Sequence, residues 1–185
     1  MGRHAGGFTL IELVVVITLV AILSGVAIAT LGSTYQARQR IATGRIAGEL
    51  NYLRERATST GLATWVQVSP ATETLAYFQN PLGSAVSALS GVAITDPATG
   101  RAMQTVLGDA SENRELAGLD LFSVNGAGTS AWLGFDYSGR PITSLGALST
   151  SSFSILIRAQ AGGASNADTT IVVSAETGLV TTSMP

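Results

Sequence analysis

A run of 19 uncharged, mostly apolar residues, Leu13 to Leu31, limits this chain more than any other feature. Wound as a helix it would span ~28 Å, close to the hydrocarbon thickness of a bilayer. At its front edge, within Leu10-Ile11-Glu12-Leu13, stands one carboxylate. A charge so placed costs about 2.5–3.5 kcal/mol at the centre of a membrane helix and less near its edge. Glu12 therefore needs a cation at its own depth. A chain break between Gly7 and Phe8 would create one, the new α-amine of Phe8.

The stretch Gly7-Phe8-Thr9-Leu10-Ile11-Glu12, followed by an apolar helix, resembles the class III signal of type IV pilins and of the pseudopilins of type II secretion. That resemblance implies cleavage after Gly7 by a prepilin peptidase and N-methylation of Phe8. It implies that Glu12 helps to dock each incoming subunit in a filament by pairing with a neighbour's terminal amine. The expected organisation is a leader over 1–7, a transmembrane and filament-core helix over 8–34, an amphipathic helix over 35–60 and a periplasmic β-rich domain over 61–185. Such a chain crosses the bacterial inner membrane once, and its partners are the peptidase, other pilins or pseudopilins and the membrane itself. The leader is too short for an ordinary secretory peptide. Counting positive charges, Arg3 before the span against Arg38, Arg40 and Arg45 after it, favours the opposite orientation. The processing signal overrules that count, because the resemblance requires it to be read in the cytoplasm.

Composition narrows the function further. All ten basic residues are Arg, there is no Cys, and the single His, His4, lies in the leader. A processed chain would lack His, Cys and Lys, and with them the commonest general bases, thiol nucleophiles and transition-metal ligands. Asp136, Asp120 and Glu115 are the acids an anchored enzyme would recruit, and nothing in the sequence groups them. The reading is a structural subunit without catalytic residues, cofactor or metal. The dense segment Asp109-Ala110-Ser111-Glu112-Asn113-Arg114-Glu115 offers oxygens for Ca²⁺ but lacks the D-x-D-x-D-G spacing of a calcium loop, and reads as an acidic surface loop. From residue 57 onward four Arg face nine Asp or Glu, a balance that repels a polyanion and argues against a nucleic-acid partner.

Beyond the apolar run, Ile41, Ile46, Leu50, Leu53 and Ala57 recur near the helical period, opposite a face carrying Arg38, Arg40, Arg45, Glu49, Arg54, Glu55 and Arg56. Gly61 is the expected left-handed stop. Gly25 and Ala29 make a small-xxx-small pair in the apolar half, and Gly44 and Gly48 repeat that spacing further on, where they would allow close contact with a sheet. The period then changes to two. Residues 62–68 and 74–78 read as a β-hairpin, and 92–95 and 103–107 as short strands. Strands follow over 119–124 and 131–135, joined by a turn at Gly126-Ala127-Gly128, and over 153–160, 169–175 and 179–183, the last two joined at Glu176-Thr177-Gly178.

The helix end and first strand, with Leu53, Arg54, Arg56, Ala57 and Gly61, and the later Phe135-Asp136-Tyr137-Ser138-Gly139, resemble the GspH/FimT group of minor pseudopilins and pilins. The implied fold is α+β and pilin-like: a long N-terminal helix packed on a C-terminal antiparallel, β-sandwich-like domain. The implied function is that of a minor pseudopilin of type II secretion, with a minor type IV pilus subunit as the alternative. DNA-binding members of the group carry Arg after the last turn glycine. Here Gly178 is followed by Leu179-Val180-Thr181-Thr182.

Overall fold

A computed structural model describes residues 9–109, 114–125, 128–159 and 168–183, with side chains in the helix omitted over 25–35. One helix, α1 (Leu10–Thr60), runs for 51 residues and ends where Gly61 turns left-handed at φ 69°. The Gly61 N–H caps the Ala57 carbonyl at 3.0 Å. Among the described side chains of α1, those embedded all lie in its second half. Ala42, Ile46, Leu50, Leu53 and Ala57 are fully buried, spaced 4, 4, 3 and 4. This corrects the expected stripe by one position at its start: Ile41 is 48% exposed and Ala42 lies in the core. A smaller residue there lets the first embedded turn approach the sheets.

Two antiparallel sheets enclose that half. The first contains β1 (Thr64–Ser69), β2 (Thr74–Gln79), β3 (Val92–Ala93), β4 (Gln104–Val106), β6 (Ala131–Phe135) and β7 (Pro141–Ile142), in the order β3-β2-β1-β6-β7 with β4 also on β2. The second contains β5 (Leu119–Val124), β8 (Phe153–Ala159), β9 (Thr169–Val173) and β10 (Val180–Ser183), in the order β10-β9-β8-β5. Alternate residues Val66, Val68, Leu75 and Tyr77 of the first sheet and Leu119, Leu121, Ile155, Ile157, Ile171 and Val173 of the second meet the buried helix face in one core. Trp65, of opposite parity to Val66, seeds a smaller core on the outer face of the first sheet with Ala63, Ala88 and Ile142.

The β1–β2 and β9–β10 hairpins form where the alternation places them. The segments 119–124 and 131–135 are also strands, but they do not form the hairpin the glycines between them suggested. β5 pairs with β8 in one sheet and β6 with β1 in the other, so the chain crosses between sheets at that connection. Both strands are apolar on their inner positions, and each finds a longer partner elsewhere. Gly126 and Ala127 lie outside the described residues.

The two ends of the body differ. Near the C-terminus of α1, Thr64 Oγ1 donates to the Leu53 carbonyl at 2.9 Å, and Gln79 Nε2 donates to Thr60 Oγ1 at 2.8 Å. Near the opposite end, Arg38 donates to the Ala117 carbonyl at 2.8 Å, and the Leu107 N–H donates to the Glu73 carbonyl. The stem, Leu10 to Ser24, leaves the body from this second end with every described side chain exposed.

Candidate assembly site

The amino end of α1 is closed by a capping box. Thr9 is the N-cap residue: its Oγ1 accepts the Glu12 N–H at 3.3 Å, while Thr9 N and Oγ1 donate to Glu12 Oε2 at 2.9 and 2.8 Å. The Glu12 carboxylate is thus turned back over the first helical turn, with its charge at the positive end of the helix dipole. Gly7 and Phe8, the expected cleavage and methylation positions, lie outside the described residues. So does the leader over 1–7.

Leu10, Ile11, Leu13, Val14, Val15, Val16, Ile17, Leu19, Val20, Ile22 and Leu23 are all exposed, on every side of the helix. Thr18 and Ser24 turn their hydroxyls back to the Val14 and Val20 carbonyls at 2.7 Å, leaving an apolar outer surface. Among the described residues no helix is long and apolar enough to cross a membrane. The described side chains of this stem end at Ser24, short of the ~20 residues a span takes. The expected small-residue pair Gly25 and Ala29 falls among the undescribed side chains.

A polar lock fixes the embedded half. Glu49, which helical periodicity assigns to the solvent face, is only 13% exposed. It accepts from the hydroxyl of buried Tyr77, from Thr105 Oγ1 at 2.8 and 2.9 Å, and from Arg45 Nε at 3.0 Å. One carboxylate of α1 thereby ties the helix to β2 and β4. Burial first, and then the charge and hydrogen bond of Glu49, push the Tyr77 hydroxyl well above its ordinary pKa. Beside this lock an open cleft of about 700 Å³ is lined by charges of both signs, Arg45 and Arg101 with Glu49 and Asp96.

Arg54 bridges the two turns that close the body. Its Nε donates to the Gly139 carbonyl at 3.2 Å, and a Cβ at Gly178 would meet both that carbonyl and Arg54. The turn at Gly139 is set by Asp136, whose Oδ1 accepts from the Ser138 and Arg140 N–H groups at 2.9 Å. Burial raises the pKa of Asp136, but these bonds and the Ser138 hydroxyl outweigh it and hold the carboxyl below its usual range. Asp136 is thus committed to a turn. Asp120 lies opposite Arg158 in the β5–β8 ladder, and Glu115 sits in the short 3-10 turn Arg114–Leu116. Among the described residues no three Asp, Glu, His or Cys come together to hold a metal, and residues 110–113 of the acidic loop lie outside that set.

Gly44 and Gly48 do not serve the sheet. Both are exposed, and a Cβ on either would meet nothing within 4 Å. Close approach is permitted elsewhere, as at Gly178 and at Gly134, where a Cβ would strike the Trp65 ring, and at Gly146, where it would strike the Val86 carbonyl.

Compared with known proteins, residues 2–28 match the family model for the prokaryotic N-terminal methylation motif. The fold is similar to that of the minor pseudopilin EpsH from the Type 2 Secretion System of Vibrio cholerae. One EpsH structure superposes with a TM-score of 0.55 at 17% identity, over 79% of this chain and 96% of that one. A second EpsH structure gives 0.50 at 17% identity, over 82% and 96%. The type IV minor pilin FimU of Pseudomonas aeruginosa gives 0.49 at 14% identity, over 79% and 91%. No curated protein matches the chain in sequence.

Proposed function

We propose that this chain, type IV pilin-like in its N-terminal motif and its fold, is a minor pseudopilin: a structural subunit of the filament that drives type II secretion. In this reading prepilin peptidase cleaves after Gly7 and methylates Phe8, the stem anchors the chain in the inner membrane, and the body stands in the periplasm. Glu12 then docks the subunit in the filament by meeting the terminal amine of a neighbour. The observation that carries the reading is the stem itself, an apolar helix bare on all sides with one carboxylate at its capped end. So large an apolar surface needs lipid or other chains around it. An anion in that setting is tolerable beside a cation. The alternative, a minor type IV pilus subunit, shares each of these steps and differs in the machine served.

The capping box makes a clean test available. In Glu12→Gln the amide oxygen still accepts from Thr9, because Gln serves at this position of a capping box as Glu does. The helix start is kept and only the charge is removed. The expected outcome is a processed, membrane-inserted chain that no longer enters filaments, read by fractionation of sheared filaments from cells. Undiminished incorporation of the Gln variant would refute the role of Glu12. A mature chain that still begins at Met1, by mass spectrometry, would refute the processing step.

A further inference from the structure

A small pocket opens where the first sheet runs out of strand. β6 meets β7 only at Gly134 and Phe135, so Ala131, Trp132 and Leu133 have no strand beside them in that ladder. After Ile142 the chain turns away in a loop that returns at Phe153, the first residue of β8 in the other sheet. Between the open stretch of β6 and this loop lies a cavity of about 200 Å³. Trp132, Asn125, Thr143, Ser144, Ser151 and Ser152 line it with a few apolar neighbours, and none of the described residues in its wall is charged. In this it differs from the cleft beside Glu49, which charges of both signs line.

The wall is held in shape and leaves polar groups to spare. The Thr143 N–H donates to the Ala147 carbonyl at 2.7 Å and the Ser149 N–H to the Pro141 carbonyl at 2.9 Å, which fixes the loop. On the far side stands Asn125, in the left-handed region at φ 50°. Its N–H donates to the Ser154 carbonyl at 2.8 Å, and its Oδ1 accepts the Ser154 N–H at 2.9 Å. The Asn125 side-chain nitrogen takes no partner among the described residues, and neither do the hydroxyls of Thr143, Ser144, Ser151 and Ser152. The two tryptophans divide in the same way. Trp65 is fully buried, and its Nε1 donates to Asn80 at 2.7 Å. Trp132 is half-buried and rests on Phe78 with ring centroids 5.3 Å apart, and its indole N–H finds no acceptor among the described residues. An indole so placed offers an apolar face and a donor at its edge.

We propose that this pocket is a binding site for one sugar unit of an uncharged polysaccharide. A pyranose ring presents a C–H face to an indole, and its hydroxyls both donate and accept, as the hydroxyls of the pocket do. A charged ligand would lose water here with no opposite charge to replace it. The backbone argues against an added peptide strand. The Asp136 N–H donates to the Arg140 carbonyl on the β7 side. By alternation, only Trp132 in the open stretch of β6 turns its N–H and C=O the same way. One such pair is too few to seat a strand, so side chains must do the recognising. Their fixed setting lowers the entropic cost of binding. Such a site goes beyond the filament reading and does not depend on it.

The test is titration calorimetry on the purified full chain, in a detergent without a sugar headgroup. The probes are chitohexaose and maltohexaose as neutral oligosaccharides, polygalacturonate as an anionic one, and an uncharged hexapeptide of alternating valine and threonine. The expected result is saturable binding of at least one neutral oligosaccharide, and none of polygalacturonate or the peptide. Trp132→Ala is expected to weaken that binding by about tenfold or more, the scale of losing an aromatic anchor. Ser152→Leu removes an exposed hydroxyl and is expected to weaken it by about fivefold, the scale of one hydrogen bond. Its thermal unfolding is expected to match wild type, which separates lost binding from lost folding. Binding of neither neutral oligosaccharide overturns the proposal. So does binding of polygalacturonate or the peptide in their place, or binding that either variant leaves unchanged. Wild-type chain absent from filaments in cells would overturn the filament reading and leave the sugar site standing, so the two failures are told apart.

Discussion

Replacing Glu49 with Ala tests whether the helix is locked to the first sheet by one carboxylate. The substitution orphans two buried hydroxyls, those of Tyr77, fully buried, and Thr105, 1% exposed. An unsatisfied buried hydroxyl costs about 1–3 kcal/mol, and the partly exposed Arg45 pair adds about 1 kcal/mol. The two hydroxyls can partly satisfy one another, so we expect a loss of about 3–4 kcal/mol rather than the full sum. Against a typical stability of ~5–15 kcal/mol, such a loss is large. Urea unfolding of the full chain in detergent, followed by the fluorescence of buried Trp65, would measure it. Tyr77→Phe in the Glu49→Ala background should recover part of the loss, since one orphan is removed. A cost below ~1 kcal/mol, or no coupling between the two positions, would refute the lock.

Three further outcomes follow from the geometry. The raised pKa of Tyr77 gives the fold a stability that is complete below the ordinary tyrosine value of 10.0. It is lost as pH rises from there toward the folded-state value, because the unfolded chain ionises first; Tyr77→Phe should flatten this alkaline decline in a pH-resolved melting series. Gly44→Ala and Gly48→Ala place a methyl in open space on a helix, and each should stabilise by about 0.5–1 kcal/mol in denaturant titrations. Gly134→Ala drives a Cβ into the Trp65 ring and the Ile142 side chain, and should cost at least ~2 kcal/mol with a changed near-ultraviolet tryptophan signal.

The parts of the molecule legible in its sequence are those written in neighbouring residues. Thr9 and Glu12 sit three apart, the apolar run is contiguous, and Gly61 ends the helix by its own backbone freedom. The strands 119–124 and 131–135 were equally legible, since alternation is local. Their partners were not. Which sheet a strand joins depends on residues far along the chain, and β5 and β6 part company for that reason. Glu49 was assigned to solvent because a charge on a helix ordinarily is. Only the arrival of Tyr77 and Thr105 from β2 and β4 makes it an interior residue. Gly44 and Gly48 misled in the opposite sense, their spacing matching a packing motif on a face that meets no sheet.

The single rod shared by stem and body has a mechanical meaning. The embedded part of α1 is held by Arg38 to Ala117, Glu49 to Tyr77 and Thr105, Leu53 to Thr64, and Arg54 to Gly139. A pull on the free end, directed along the axis, loads these clamps together in shear instead of unzipping them one at a time. Traction applied at the amino end would therefore reach the whole body at once, through a helix that both transmits the load and carries the clamps that receive it.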